Sequence, residues 1–173
     1  MTELNAEQLL EDLANDLKKY LSEQNISDPV FIGIQTGGVW VAKQLQSLLN
    51  NTQKLGVLDI TFYRDDFSRT GIQPTVKPSK LPQGVDDKHI ILVDDVLHTG
   101  RTVRAALNEI FDYGRPASVT LVALVQRNGN ELPIQADVVA CKLNLETTQH
   151  VKLRGPDPLE LKILEATVTE NKK

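Results

Sequence analysis

The stretch from Ile90 to Thr102 reads Ile-Ile-Leu-Val-Asp-Asp-Val-Leu-His-Thr-Gly-Arg-Thr, and it limits what the chain can fold into more than any other part. A short apolar run leads straight into two carboxylates, Asp94 and Asp95. Thr99 and Gly100 follow, and an amphipathic helical spacing begins at Thr102. The pattern predicts a buried strand over 89–93 that ends at the acids, a tight loop, and a helix over 102–113 stopped by Gly114. A loop that opens a helix presents unpaired backbone N–H groups and the positive end of a helix dipole, which suits a phosphate. Two carboxylates beside it can accept hydrogen bonds from a vicinal diol or help to order a hydrated magnesium ion. Phosphate and sugar hydroxyls in one site point to a phosphorylated ribose. An acid pair after a strand also fits other α/β proteins, response regulators and sugar-phosphate isomerases among them. The offsets of Thr99, Gly100 and Thr102 favour the phosphoribosyl reading.

Around this unit the chain alternates helix and strand. Leu10, Leu13, Leu17 and Leu21 recur at helical spacing, so the first twenty-odd residues form an amphipathic helix with a mostly acidic outer face. Strands are expected at 30–34, 55–63, 118–125 and 136–140, with a glycine-rich loop at Gly33–Gly38 and a helix over 39–49. Residues 64–87 show no periodicity and carry Gly71, Pro74, Pro78, Pro82 and Gly84, which reads as a flexible hood loop. The tail, 149–164, reads as short strands with a turn at Pro156 and Pro158. Short connections and continuous apolar strands predict an α/β fold, a doubly wound and mainly parallel sheet with helices on both faces, in a single domain over 1–173. Loops at Gln35, Arg64, Asp94 and Arg127 all follow strands and should meet at one edge of the sheet.

Hydrophobic residues make up 40% and charged residues 24%, the balance of an ordinary globular protein. A formal net charge of −4 argues against a strongly electropositive surface. Cys141 is the single cysteine, so no intrachain disulfide forms, and it reads as a small packing residue. Met1–Gln8 lacks the layout of a signal peptide and no apolar run approaches a membrane span, so a cytoplasmic protein without membrane contact is expected.

The Ile90–Thr102 stretch resembles the phosphoribosyl diphosphate (PRPP) binding motif of type I phosphoribosyltransferases. Three other segments narrow the likeness: Asp59-Ile-Thr-Phe-Tyr-Arg-Asp-Asp66, Asp112-Tyr-Gly-Arg-Pro-Ala-Ser118, and Glu131-Leu-Pro-Ile-Gln-Ala-Asp137. Together they look like the PyrR family, pyrimidine-operon attenuators that are also uracil phosphoribosyltransferases, over about residues 5–165. The resemblance implies a type I phosphoribosyltransferase fold. It also implies conversion of uracil and PRPP to UMP and pyrophosphate, dependence on Mg2+, and a homodimer or higher homo-oligomer in which UMP also acts as an effector. It casts Asp94 and Asp95 as holders of the ribose hydroxyls and, indirectly through PRPP and water, of the metal. His98, Thr99, Gly100, Arg101 and Thr102 grip the 5′-phosphate. Thr36, Gly37, Gly38 and Arg64 face pyrophosphate, in a loop that in the family often carries a cis peptide. Asp94, Asp95 and Arg64 form the catalytic set, with Arg64 able to bind the leaving group in a bidentate way. Val125, Gln126 and Arg127 frame the base, largely through backbone. His98 stands where related purine enzymes often place an acid and PyrR proteins a tyrosine. It is read either as a proton-transfer group or as a residue that shapes the loop.

The sequence also departs from the family pattern. The pyrophosphate loop usually reads Lys-Thr-Arg-Gly and here reads Gln35-Thr36-Gly37-Gly38, so two cations are missing beside an anionic leaving group. The segment that usually reads Asp-Arg-Gly-His-Arg-Glu-Leu-Pro-Ile-Arg is here Gln126-Arg-Asn-Gly-Asn-Glu-Leu-Pro-Ile-Gln135. Asp12, Asn15, Asp16 and Gln24 stand on a first helix that carries arginines in RNA-binding members. RNA affinity rests on cationic contacts with phosphates, so RNA binding is doubtful here. Three readings follow: an active uracil phosphoribosyltransferase with a regulatory role, a weakly active or inactive UMP/PRPP-sensing regulator of pyrimidine gene expression, and a transferase for another base such as hypoxanthine or orotate.

Overall fold

Val30–Ile34 is buried at every position, the mark of a strand covered on both faces rather than one. The computed structural model describes residues 4–60 and 79–166, and in it this strand lies inside a five-stranded parallel sheet. In chain order the elements are α1 (Ala6–Glu23), β1 (Val30–Ile34), α2 (Gly37–Leu48), β2 (Gly56–Leu58), β3 (His89–Leu97), α3 (Arg101–Tyr113), β4 (Ser118–Arg127), β5 (Val138–Leu143), β6 (Gln149–Arg154) and β7 (Glu160–Glu165). The sheet order is β2-β1-β3-β4-β5 and every pairing in it is parallel. β6 and β7 form a separate antiparallel pair, joined through cis Gly155–Pro156 and Asp157–Pro158 peptides.

Alternation along the strands sends one set of side chains to each face. Phe31, Ile91, Val93, Val122 and Leu124 join Leu10, Leu13 and Leu17 of α1, Val41 and Leu45 of α2, and Val151, Leu153 and Leu161 of the β6–β7 pair. On the opposite face Ile32, Ile90, Leu92, Leu121 and Ala123 pack with Val103, Ala106 and Ile110 of α3 and with Val85. The doubly wound arrangement read from the sequence is present, with helices on both faces. After β1 the chain winds outward to β2, and after β3 it winds the other way to β4. The crevice between the carboxyl ends of β1 and β3 is therefore a topological switch point, where such sheets bind ligands.

Several boundaries differ from expectation, β4 (expected 118–125) and β5 (expected 136–140) among them. Asp94 and Asp95 lie inside β3 rather than beyond its end, because β4 runs on to Arg127 and pairs Val96 with Val125 and Leu97 with Gln126. α2 begins at Gly37, so Gly37 and Gly38 form its first turn and not a loop. Of the hood loop expected over 64–87, residues 64–78 lie outside the described residues, as do 61–63 of the strand expected over 55–63; the strand itself covers only Gly56–Leu58. Residues 79–87 are tied down: Lys80 exchanges backbone hydrogen bonds of 2.7 and 2.8 Å with Val57, and Val85 is 1% exposed.

Candidate active site at the switch point

Asp94 and Asp95 point to opposite faces of β3, and each meets a different element. Asp94 is 5% exposed, and its Oδ1 accepts the Asp95 N–H at 3.0 Å. Asp95 is half-buried and lies over the first turn of α2. A Cβ built on Gly37 would stand 2.2 Å from Asp95 Oδ2. Gly38 approaches backbone instead, its Cβ position lying 2.4 Å from the Val93 carbonyl oxygen. Gly33 likewise faces the Val39 backbone at 2.7 Å. The glycines of this segment thus make room for the protein's own β1–α2–β3 packing and for the Asp95 carboxylate. The Gln35–Thr36 peptide is cis, and the α2 N-terminus has no side-chain cap.

The loop between β3 and α3 runs from His98 to Gly100. Gly100 takes φ +92°, a conformation that favours glycine, and heads α3 without a side-chain cap. The Arg101 N–H donates to Thr99 Oγ1 at 3.2 Å. The first-turn N–H groups of Thr102 and Val103 have no acceptor within the helix, as at any helix start. This end of α3 and that of α2 both face the switch point, so two positive dipole ends converge beside two carboxylates.

Across the cleft, the β4–β5 connection is held at both ends. The Asn128 side chain donates to the Leu145 carbonyl at 3.0 Å and accepts the Leu145 N–H at 2.9 Å. Asp137 bonds Leu121 through both its N–H and its carboxylate, at 2.8 Å each. Arg127 turns away towards β6, where its guanidinium donates to the Gln149 carbonyl at 2.9 Å. Its Nε is buried without a partner.

His98 projects from the β3–α3 loop with its ring against Gly129, whose Cβ position would lie 2.7 Å from Nε2. Gly129 sits at φ +100°. Burial, and then the Arg127 guanidinium, hold the imidazole below its ordinary value of 6.5, while Glu131 pulls it up. The neutral imidazole is therefore favoured. In an NMR titration its ring protons should turn over below pH 6.5. Arg127→Gln should move the midpoint up and Glu131→Gln should move it further down, and a native midpoint at or above 6.5 would contradict this environment. Because the folded value lies under the unfolded one, the unfolded chain takes up the proton first. The contribution to stability is whole above pH 6.5 and is lost as pH falls through the folded value.

Of the residues picked out from the sequence, Thr36, Gly37, Gly38, Asp94, Asp95, His98, Thr99, Gly100, Arg101 and Thr102 come together at the carboxyl ends of β1 and β3. Gln126 and Arg127 end the neighbouring strand. Val125 has a fully buried side chain in the core, so only its backbone is placed to frame a ligand. Arg64 lies outside the described residues. Sequence reasoning missed Gly129 and Glu131. Glu131 accepts from Arg101 Nε at 2.8 Å and donates its backbone N–H to the Thr99 carbonyl at 3.0 Å. The sign was present in the Asn128-Gly129 pair, a turn signature one residue after a strand. Volume alone does not mark this site. A pocket of about 440 Å³ opens at the opposite end of the sheet, lined by Lys18, Ser22, Asp28 and Asn51 among others.

The family model for the phosphoribosyl transferase domain matches residues 1–154. The bifunctional protein PyrR of Nitrosococcus oceani is 60% identical over 169 residues, which cover 96% of each chain. That of Pseudomonas syringae pv. tomato is 56% identical over 159 residues, 92% of this chain and 94% of the relative. Among solved structures, a hypoxanthine phosphoribosyltransferase from Staphylococcus aureus superposes with a TM-score of 0.66 at 19% identity, covering 83% of this chain and 77% of that one. A purine phosphoribosyltransferase from Pyrococcus horikoshii gives 0.60 at 24%, covering 80% and 82%. At such identities the likeness concerns the fold alone.

Proposed function

Because the chain belongs to the phosphoribosyltransferase family, and to the PyrR proteins within it, we propose that it transfers the phosphoribosyl group of PRPP to uracil, giving UMP and pyrophosphate. The observation that carries this reading is the meeting of the acid pair, the uncapped start of α3 and the first turn of α2 at one switch point. Each part answers a different portion of PRPP. The start of α3, with the Thr99 and Thr102 hydroxyls, suits the 5′-phosphate. Asp94 and Asp95 suit the ribose hydroxyls, and the turn at Thr36–Gly38 suits the pyrophosphate.

The bond from C1′ to the pyrophosphate oxygen breaks as N1 of uracil bonds to C1′ and gives up its proton to the departing pyrophosphate or to solvent, through a transition state of oxocarbenium character. The protein's work is to align the partners and to hold the leaving group's charge. Among the described residues no three acids, cysteines or histidines gather to hold a metal. Two adjacent carboxylates fit a Mg2+ that takes most of its ligands from PRPP and water, and it would supply charge neutralisation for pyrophosphate. The two cations absent from the pyrophosphate loop leave that work to Arg64, to the backbone amides of α2 and to the metal.

The relatives are named bifunctional, and a second, regulatory role responding to UMP is part of this proposal. The outer face of α1 exposes Glu7, Glu11, Asp12 and Asp16 beside Lys18 and Lys19, so this face is a poor match for RNA phosphates. No described helix is long and apolar enough to cross a membrane. A homo-oligomer and a cytoplasmic setting complete the reading.

The test is conversion of labelled uracil to UMP with PRPP and Mg2+, run beside Asp95→Asn. Turnover is expected, with a loss of about 10- to 100-fold in the variant, the worth of one charge-assisted contact. UMP binding by calorimetry without any turnover would instead favour the sensing regulator. Turnover with hypoxanthine or orotate but not uracil would reassign the base.

A further inference from the structure

The β4–β5 connection touches the phosphate loop at one residue after another. Gly129 lies against the His98 ring. Glu131 bonds the Thr99 carbonyl through its backbone and Arg101 through its carboxylate. The side of Gly100 that lacks a side chain meets Asn130, Leu132 and Ile134, with 3.4–3.5 Å to its Cβ position. The connection is also closed on itself: Asn130 Nδ2 donates to the Ile134 carbonyl at 2.9 Å and Asn130 Oδ1 accepts the Leu132 N–H at 3.2 Å. Residues 129–134 are thus a small closed body seated on residues 98–101, with Glu131 at the centre of the seam.

We propose that Glu131 is a positioning residue that couples the 5′-phosphate subsite to the base subsite, so that the two fill cooperatively. The inference rests on the function proposed above. A phosphate bound at 99–102 fixes those residues. Through the Glu131 backbone bond to Thr99 and the ion pair to Arg101, it also fixes the connection that follows directly on Gln126 and Arg127, the residues read as framing the base. The base arriving second then loses less conformational freedom, and linkage makes the effect reciprocal. Arg101 and Glu131 are each about half exposed, and an ion pair so open to solvent adds little to stability. Its effect belongs in the ratio of two binding constants, and not in the melting temperature.

Calorimetry with uracil, ribose 5-phosphate and UMP reads that ratio. In the native protein ribose 5-phosphate should tighten uracil about tenfold, a typical coupling. Glu131→Ala should cut the gain to about twofold, leaving uracil alone and the unfolding midpoint little changed. Glu131→Gln, which keeps an acceptor oxygen, should fall between. UMP bound by the native protein with no gain for uracil, or an unchanged gain in both variants, overturns the coupling and leaves the site assignment standing. Uniform weakening of all three ligands at a constant ratio overturns it too, since Glu131 would then be merely structural. Failure of the native protein to bind UMP would overturn the proposed function and the coupling with it.

Discussion

Gly38→Ala is expected to destabilise the protein by about 1–3 kcal/mol or more, the range for forcing extra atoms into a packed interior, and to lower turnover with it. The added methyl would stand 2.4 Å from the Val93 carbonyl oxygen and 3.2 Å from the Asp94 Cα. Both are main-chain atoms of β3, which is hydrogen-bonded to β1 and β4 on either side, so neither can swing aside. Either the start of α2 withdraws from the sheet or β3 moves, and both shift the acid pair relative to α2. Urea unfolding and kcat/KM on the same preparation check this. Gly37→Ala is the comparison, because its methyl meets a side chain rather than the main chain of β3: the Asp95 carboxylate can rotate away, while Asp95 Cβ, 2.9 Å off, must be accommodated by a small shift. That variant should lose activity and less stability than Gly38→Ala. Native stability in Gly38→Ala would mean that α2 does not sit on β3 as described.

Asp94→Asn should lower kcat/KM by about 10- to 150-fold while the protein stays folded. The side chain is 5% exposed and its Oδ1 already serves the Asp95 N–H. An asparagine oxygen can serve that N–H equally, so that bond outlasts the removal of the charge. Charge-assisted hydrogen bonds are worth about 1.5–3 kcal/mol, which sets the expected factor. Asp94→Ala should do more, since it also strips the Asp95 N–H of its acceptor, at about 1–3 kcal/mol of stability. Steady-state kinetics with PRPP varied, beside thermal melts of both variants, separates the two effects. Unchanged kinetics in Asp94→Asn would remove this carboxylate from the chemistry.

The fold was readable from residues whose burial follows a simple period. Leu10, Leu13, Leu17 and Leu21 mark α1, and the unbroken apolar run at 30–34 marks a strand covered on both faces. Strand ends were harder, because where a ladder stops depends on its neighbour. Nothing near Asp95 in the sequence says that β4 continues to Arg127 and keeps β3 paired through Leu97. Gly37 and Gly38 read as loop residues because glycine disfavours helix interiors. In the structure a close approach to β3 outweighs that preference, and such an approach is a tertiary fact. Asp94, Asp95, Thr99 and Gly100 could be picked out because their types and offsets describe a ligand. Glu131 could not, since its partners, Thr99 and Arg101, lie about thirty residues away and an exposed glutamate carries no pattern of its own.

Asn128 and Asp137 clamp the two ends of the β4–β5 connection to the end of β5, to Leu145 just beyond it and to β4, through bonds that involve none of the residues between them. Residues 129–133 are therefore an exchangeable tip, while Ile134 and Ala136 stay packed against the apolar layer under α3. A new tip that keeps Asn128, Asp137 and those two apolar residues inherits the frame, and its length and chemistry can drift while that layer stays intact. A site of this construction lends itself to retuning for another base or effector by exchanging one short segment, a route open to selection and to the protein engineer alike.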